Sequence, residues 1–194
     1  MKKVYIVHRW SGTPESDWYP WLKKELESRG FEVIVPQMPN TETPIISERV
    51  PFLSNIVGTP DENTYFVGHS IGAQTVMRYL ETLPEGTKVG GAVFVAGWFK
   101  LGGAMEEEGE EVNRIAKPWT DTPIDFEKVK RICPHIDVFL SSNEPFNCID
   151  ENKKLFEEKL GATVTILENK GHFTKDDGIK ELPEVLEKIL QIAK

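Results

Sequence analysis

The residues best suited to chemistry fall in one stretch, Thr64 to Ala73, which reads Thr-Tyr-Phe-Val-Gly-His-Ser-Ile-Gly-Ala. An apolar, β-prone run (Tyr65, Phe66, Val67) meets Gly68-His69-Ser70-Ile71-Gly72, and helical apolar spacing follows at Val76, Met77, Leu80 and Leu83. Strand, tight turn and helix form the context of a Gly-x-Ser-x-Gly nucleophile elbow. The turn is sharp enough that a Cβ two residues before or after the serine is expected to clash, which accounts for both glycines. Ser70 is then held on a strained backbone with its hydroxyl projecting above a sheet. The chemistry this suits is acyl transfer, provided that a base, an acid and an oxyanion site lie nearby.

Serine is a poor nucleophile at its ordinary pKa, so a base must take its proton as it attacks. Among the four histidines, His135 precedes a strand and so sits at the wrong end of a parallel sheet. His69 is inside the elbow, beside the serine, and is not expected to turn its ring onto the hydroxyl, and His8 ends a strand and is expected to shape the loop after it. His172, in the turn Gly171-His172-Phe173, follows the last strand and is the expected base. Its imidazole needs a carboxylate to hold the tautomer. Glu144, in Ser142-Asn143-Glu144-Pro145, is the first choice, Asp150 competes, and Asp137 lies too early in its strand. The oxyanion hole calls for two backbone N–H groups. One is expected from Ile71 at a helix N-terminus, the other from Trp10, with Arg9 as the alternative. Arg9, His69, Trp98 and Trp119 are expected to line the substrate pocket.

These residues must be positioned by alternating elements. Strands are expected at Lys3 to Val7, Phe31 to Val35, the elbow strand, Lys88 to Ala96, Ile136 to Leu140 and Thr163 to Leu167. Helices are expected at Glu15 to Arg29, starting near Pro20, and at Ile45 to Val57, with a late start or kink at Pro51. Further helices are expected after the elbow and at Asp125 to Arg131, Glu151 to Leu160 and Ile179 to Ala193. Between about 97 and 130 the pattern breaks, with Gly102, Gly103, Gly109, the acidic run Glu106-Glu107-Glu108 and Pro118-Trp119. That excursion reads as a solvated insertion or as a short cap over the site. Six strands alternating with helices imply an α/β fold with a mainly parallel sheet. Ligands of such sheets bind at the carboxyl ends of the strands. Ser70, Glu144 and His172 each follow such an end, in that order.

The 194 residues are expected to form a single domain, 1–194. Lys plus Arg number 23 against 31 Asp plus Glu, a net charge of −8, which disfavours nucleic acid and anionic membrane as partners. No run suits a membrane span and no signal peptide is read before Val4, and because the two cysteines are not expected to form a disulfide a cytoplasmic protein is expected. Cys133 and Cys148 flank a strand and are not expected to pair, and no Cys/His spacing points to a metal. No cofactor is expected.

The chain resembles the small serine hydrolases of the RBBP9/YdeN family, within the α/β-hydrolase superfamily. The resemblance spans nearly the whole sequence. It rests on Trp18-Tyr19-Pro20-Trp21-Leu22, Met38-Pro39-Asn40, the elbow, Pro123-Ile124-Asp125-Phe126, Ser142-Asn143-Glu144-Pro145 and Gly171-His172-Phe173. It implies a three-layer α/β-hydrolase fold with strand order 2-1-3-4-5-6 and helices on both faces. It also implies a Ser-acid-His triad and activity on small acyl esters, with amides the alternative. Two residues depart from the family's pattern. Glu144 stands where aspartate is usual, and His8-Arg9 stands where His-Gly is common. Both changes motivate a second expectation, a catalytically weak or inactive binding or scaffold protein on the same fold.

Overall fold

The computed structural model describes residues 1–102, 107–146 and 148–194. Gly103 and Glu106 of the expected excursion lie outside the described residues. Six strands form one sheet in the order β2-β1-β3-β4-β5-β6, every neighbouring pair parallel. They are β1 (Lys3–Val7), β2 (Glu32–Ile34), β3 (Thr64–His69), β4 (Gly91–Val95), β5 (Ile136–Ser141) and β6 (Thr163–Leu167). This is the expected order.

The strands are apolar on both faces because helices cover both. Side chains alternate across a strand with period two. Val4 and Ile6 of β1, Tyr65 and Val67 of β3, and Val93 and Val95 of β4 point into one core with α1 (Tyr19–Glu27) and α7 (Pro183–Ile192). Tyr5 and Val7, Phe66, and Ala92 and Phe94 point into the other, against α2 (Ile46–Val57), α3 (Ile71–Thr82), α5 (Phe126–Ile132) and α6 (Ile149–Leu160). Three layers result.

Prolines set two helix starts. Pro20 and Pro183 stand in the first turns of α1 and α7, where a missing N–H costs nothing and the fixed φ suits the helix. Helix α1 thus starts near Pro20, as expected, while α7 starts at Pro183 rather than at the expected Ile179. Pro51 does not delay α2, which begins at Ile46 and runs through it.

The excursion expected between about 97 and 130 contains regular structure that its sequence did not announce. Residues Glu110–Asp121 form a further helix, α4, with Glu110 and Glu111 in its first turn. Acidic side chains there favour the helix dipole. Val112, Ile115, Ala116 and Trp119 recur at helical spacing, a signal that the surrounding glutamates and the interior Pro118 obscure in the sequence.

Candidate active site

The elbow is built by close backbone packing. Ser70 is the N-cap of α3 with φ 54° and ψ −119°, a region that costs a non-glycine residue energy and persists only where the surroundings enforce it. A Cβ on Gly68 would stand 2.6 Å from the Ala73 Cα and 2.9 Å from the Gly72 carbonyl carbon, so the turn itself demands glycine there. Gly72 has a different reason. Its Cβ would stand 2.0 Å from the Val7 carbonyl oxygen, so glycine here lets α3 press against the end of β1. That approach brings the loop carrying Arg9 and Trp10 beside the N-terminus of α3.

Glu144 and His172 meet across the ends of β5 and β6. The Nδ1 of His172 lies 2.8 and 2.9 Å from the two carboxylate oxygens of Glu144. The Glu144 side chain is fully buried and also accepts from the Phe146 amide at 3.2 Å. Asp150, by contrast, is exposed in the first turn of α6. Because Nδ1–H donates to Glu144, the Nε2 of His172 is the nitrogen left with a lone pair. The two loops are laced together by polar side chains. Ser141 Oγ accepts from the Lys170 amide at 2.9 Å, and Asn143 Oδ1 accepts from the Gly171 amide at 2.8 Å. Asp177 accepts from the His172 amide at 3.0 Å.

Ser70 and His172 line one cleft of about 540 Å³. Trp98, Leu101, Val112, Ile115 and Phe146 form its apolar wall, and Arg9, Ser11, Glu42 and Thr43 its polar side. Helix α4 thus lines part of the cleft. The contributions of Val112 and Ile115 were hidden with that helix. Trp98 is 3% exposed, and its indole Nε1 donates to Ser70 Oγ at 3.3 Å.

Two residues expected in the pocket lie elsewhere. His69 is fully buried beneath the cleft, its Nε2–H donating to the His172 carbonyl at 2.8 Å and its Nδ1 accepting from the Tyr19 hydroxyl at 2.6 Å. Burial holds its pKa well below the usual histidine value. Trp119 is 1% exposed behind the wall, donating from its indole to the Pro44 carbonyl at 3.0 Å. Its ring, beneath the Arg78 guanidinium, packs with Ile71 and Trp98 and supports the cleft from behind.

Arg9 lines the cleft, but its guanidinium turns back to a buried carboxylate. Nε donates to Asp17 at 2.8 Å, and Nη1 to the Trp10 carbonyl at 3.0 Å. Asp17, at φ 54°, also accepts from the Lys175 amide at 2.9 Å, tying the loop after β1 to the loop after β6. Nothing in the sequence marked Asp17 for this role. The Arg9 amide donates to the Tyr19 hydroxyl at 3.2 Å, so of the two amides considered for the oxyanion that of Arg9 is already engaged. His8 shapes this loop as expected, its Nε2 accepting from the Met38 amide at 3.0 Å. Buried Arg49 donates to the His8 carbonyl at 2.9 Å, and burial lowers its pKa to about 10.

A family model described as serine hydrolase matches residues 4–191. The chain belongs to the serine hydrolase family. It is 30% identical over 184 residues to the YdeN protein of Bacillus subtilis (strain 168), covering 95% of this chain and 92% of that one. It is 32% identical over 174 residues to the serine hydrolase RBBP9 of Rattus norvegicus, covering 89% and 86%. The crystal structure of the B. subtilis ydeN gene product superposes with a TM-score of 0.88 at 28% identity, covering 99% and 98% of the two chains. The resemblance seen in the sequence is therefore that of a family member, and the fold is that of the α/β-hydrolases.

Among the described residues, no group of His, Cys, Asp and Glu is arranged to hold a metal ion. No described helix is long and apolar enough to cross a membrane. Among the described residues, no disulfide joins Cys133 to Cys148.

Proposed function

We propose that the protein is an esterase cleaving small acyl esters through Ser70, His172 and Glu144. The observation that carries this reading is that His172, backed by Glu144, lines the same cleft as a serine held at a strained elbow. His172 Nε2 takes the Ser70 proton while Oγ bonds the substrate carbonyl carbon. The developing oxyanion is met by the amides of Ile71 and Trp10. The alkoxide leaves with the proton from His172, and water repeats the sequence on the acyl-enzyme. Glu144 holds the Nδ1–H tautomer and stabilises the imidazolium.

The apolar wall suits an uncharged acyl group of modest size, and α4 serves as the cap of a single-domain enzyme. The two departures that motivated a binding or scaffold protein lose force here. Glu144 reaches His172 with both oxygens, and Arg9 is turned away onto Asp17. The test is labelling with a fluorophosphonate probe. The wild type labels at Ser70 and Ser70→Ala does not. A folded wild type that takes no label and hydrolyses no short p-nitrophenyl ester overturns the proposal.

A further inference from the structure

The contact between Trp98 and the elbow serine is unusual among the cleft contacts, because it places a buried, oriented donor on the atom that would attack. Trp98 follows β4 after Gly97. A Cβ on Gly97 would stand 2.9 Å from the Phe156 ring, so glycine leaves room for that ring of α6 beneath the end of β4. Gln74 of α3 then fixes the next residue, its Nε2 donating to the Trp98 carbonyl at 2.6 Å. The indole, packed against Ile71 and Trp119, is left with its N–H directed at Ser70 Oγ.

We infer that Trp98 is a catalytic residue as well as a wall of the cleft: its indole N–H holds one lone pair of Ser70 Oγ and stabilises that oxygen as it departs from the acyl-enzyme. The inference rests on the acyl-transfer reading of Ser70. A hydroxyl has one hydrogen and two lone pairs. With the indole on one lone pair, the hydroxyl hydrogen is turned away from Trp98 and is available to His172. In the second half-reaction a water proton passes to His172 Nε2 and the water oxygen bonds to the acyl carbon, placing the carbonyl electron pair on the oxyanion. As the carbonyl re-forms, the C–Oγ bond breaks, its electron pair stays on Oγ, and Oγ takes the proton from His172.

An ester oxygen is a weaker acceptor than a departing alkoxide. The Trp98 bond therefore strengthens toward the transition state of acyl release, which is the condition for catalysis. During attack the same oxygen begins as a hydroxyl that already accepts the indole, so less is gained. Loss of the N–H falls mainly on release.

The test compares wild type with Trp98→Phe and with 3-benzothienylalanine placed at position 98, which keeps the bicyclic shape without an N–H. Burst kinetics with p-nitrophenyl butyrate and intact mass after quenching give formation and release of the acyl-enzyme separately. For both variants the fluorophosphonate labelling rate is expected to stay within about threefold of wild type. Steady-state turnover is expected to fall about tenfold, with KM falling alongside it and the butyryl-enzyme accumulating. Turnover within twofold of wild type in the benzothienyl variant overturns the inference, as does a rise in KM with no accumulated acyl-enzyme. If wild type itself fails to label at Ser70, the acyl-transfer reading falls and takes this inference with it. If wild type labels and the isostere is indistinguishable from it, only the role of Trp98 falls.

Discussion

His69 donates from Nε2 to the backbone carbonyl of His172 across 2.8 Å, linking the residue before the elbow serine to the loop that carries the proposed base. On its other side the ring accepts from Tyr19, whose hydroxyl oxygen also accepts from the Arg9 amide. One neutral imidazole and one phenol thus connect the elbow, the loop after β1 and the loop after β6. Tyr19→Phe breaks both bonds and leaves the Arg9 amide and His69 Nδ1 without partners in a buried place. A stability loss of about 1–3 kcal/mol is expected. In the proposed esterase, kcat should fall more than KM rises, because loops that hold the base and the oxyanion amide are loosened while the cleft wall is untouched. Urea unfolding and steady-state kinetics measure the two, and an unchanged kcat would refute the link.

Glu144→Gln preserves the shape of the side chain and removes its charge. The amide cannot stabilise an imidazolium on His172, so kcat should drop on the order of a thousandfold with little change in KM. Glu144→Asp keeps the charge but withdraws the carboxylate from Nδ1, and an intermediate loss is expected. If Glu144→Gln retains wild-type turnover, Glu144 is not the acid.

Ile115 faces the cleft from α4. Ile115→Trp should fill part of the acyl site and shift the preferred p-nitrophenyl ester toward shorter chains, with acetate least affected. A chain-length profile identical to wild type would remove α4 from the substrate site.

His8 has no place for a second proton. Its Nδ1–H donates to the Arg9 carbonyl and its Nε2 accepts from the Met38 amide. Burial lowers its pKa to about 4 from 6.5; the neighbouring Arg49 and Arg9 guanidiniums push the same way, while the Arg9 carbonyl bond and the Asp17 carboxylate oppose them. A folded-state pKa below the unfolded value means that the unfolded chain binds the proton more readily. Stability from this group is thus present in full above about pH 6.5 and is lost as pH falls toward 4. His69, also held low by burial, adds to the slope. Urea unfolding at pH 7.5, 6 and 5 should show this decline, and His8→Gln should flatten it. Parallel profiles for the two proteins would refute the assignment.

Gly72→Ala would drive a methyl group into the Val7 carbonyl, and backbone on both sides leaves no cheap relief. A loss of more than about 3 kcal/mol, or failure to fold, is expected. A thermal midpoint within a few degrees of wild type would show that β1 and α3 are less tightly apposed than described.

The order of elements was legible in the chain because it depends on local chemistry. Continuous apolar runs marked buried strands, helical spacing marked the covering helices, and Pro20 marked one helix start. The turn Gly-His-Ser-Ile-Gly announced itself because close backbone approach leaves glycine as the residue that fits. That Ser70, Glu144 and His172 each follow a strand was also readable, since it needs only the order of elements and the parallel sheet. The helix α4 was readable in principle at Val112, Ile115, Ala116 and Trp119, yet the glutamates and Pro118 masked it.

Tertiary structure decided the partners. Glu144 and Asp150 are the same chemistry six residues apart, and packing alone buries one against His172 and leaves the other in water. Arg9 could have faced a substrate until Asp17 was brought beneath it. His69 and Trp119 sit close in sequence to reactive or apolar segments, but their rings are directed behind the cleft, while Trp98 turns its N–H onto Ser70. Periodicity records which face of an element is covered. Which atom lies opposite a given side chain depends on segments distant in sequence arriving within about 3 Å of each other, and no spacing along the chain encodes that distance.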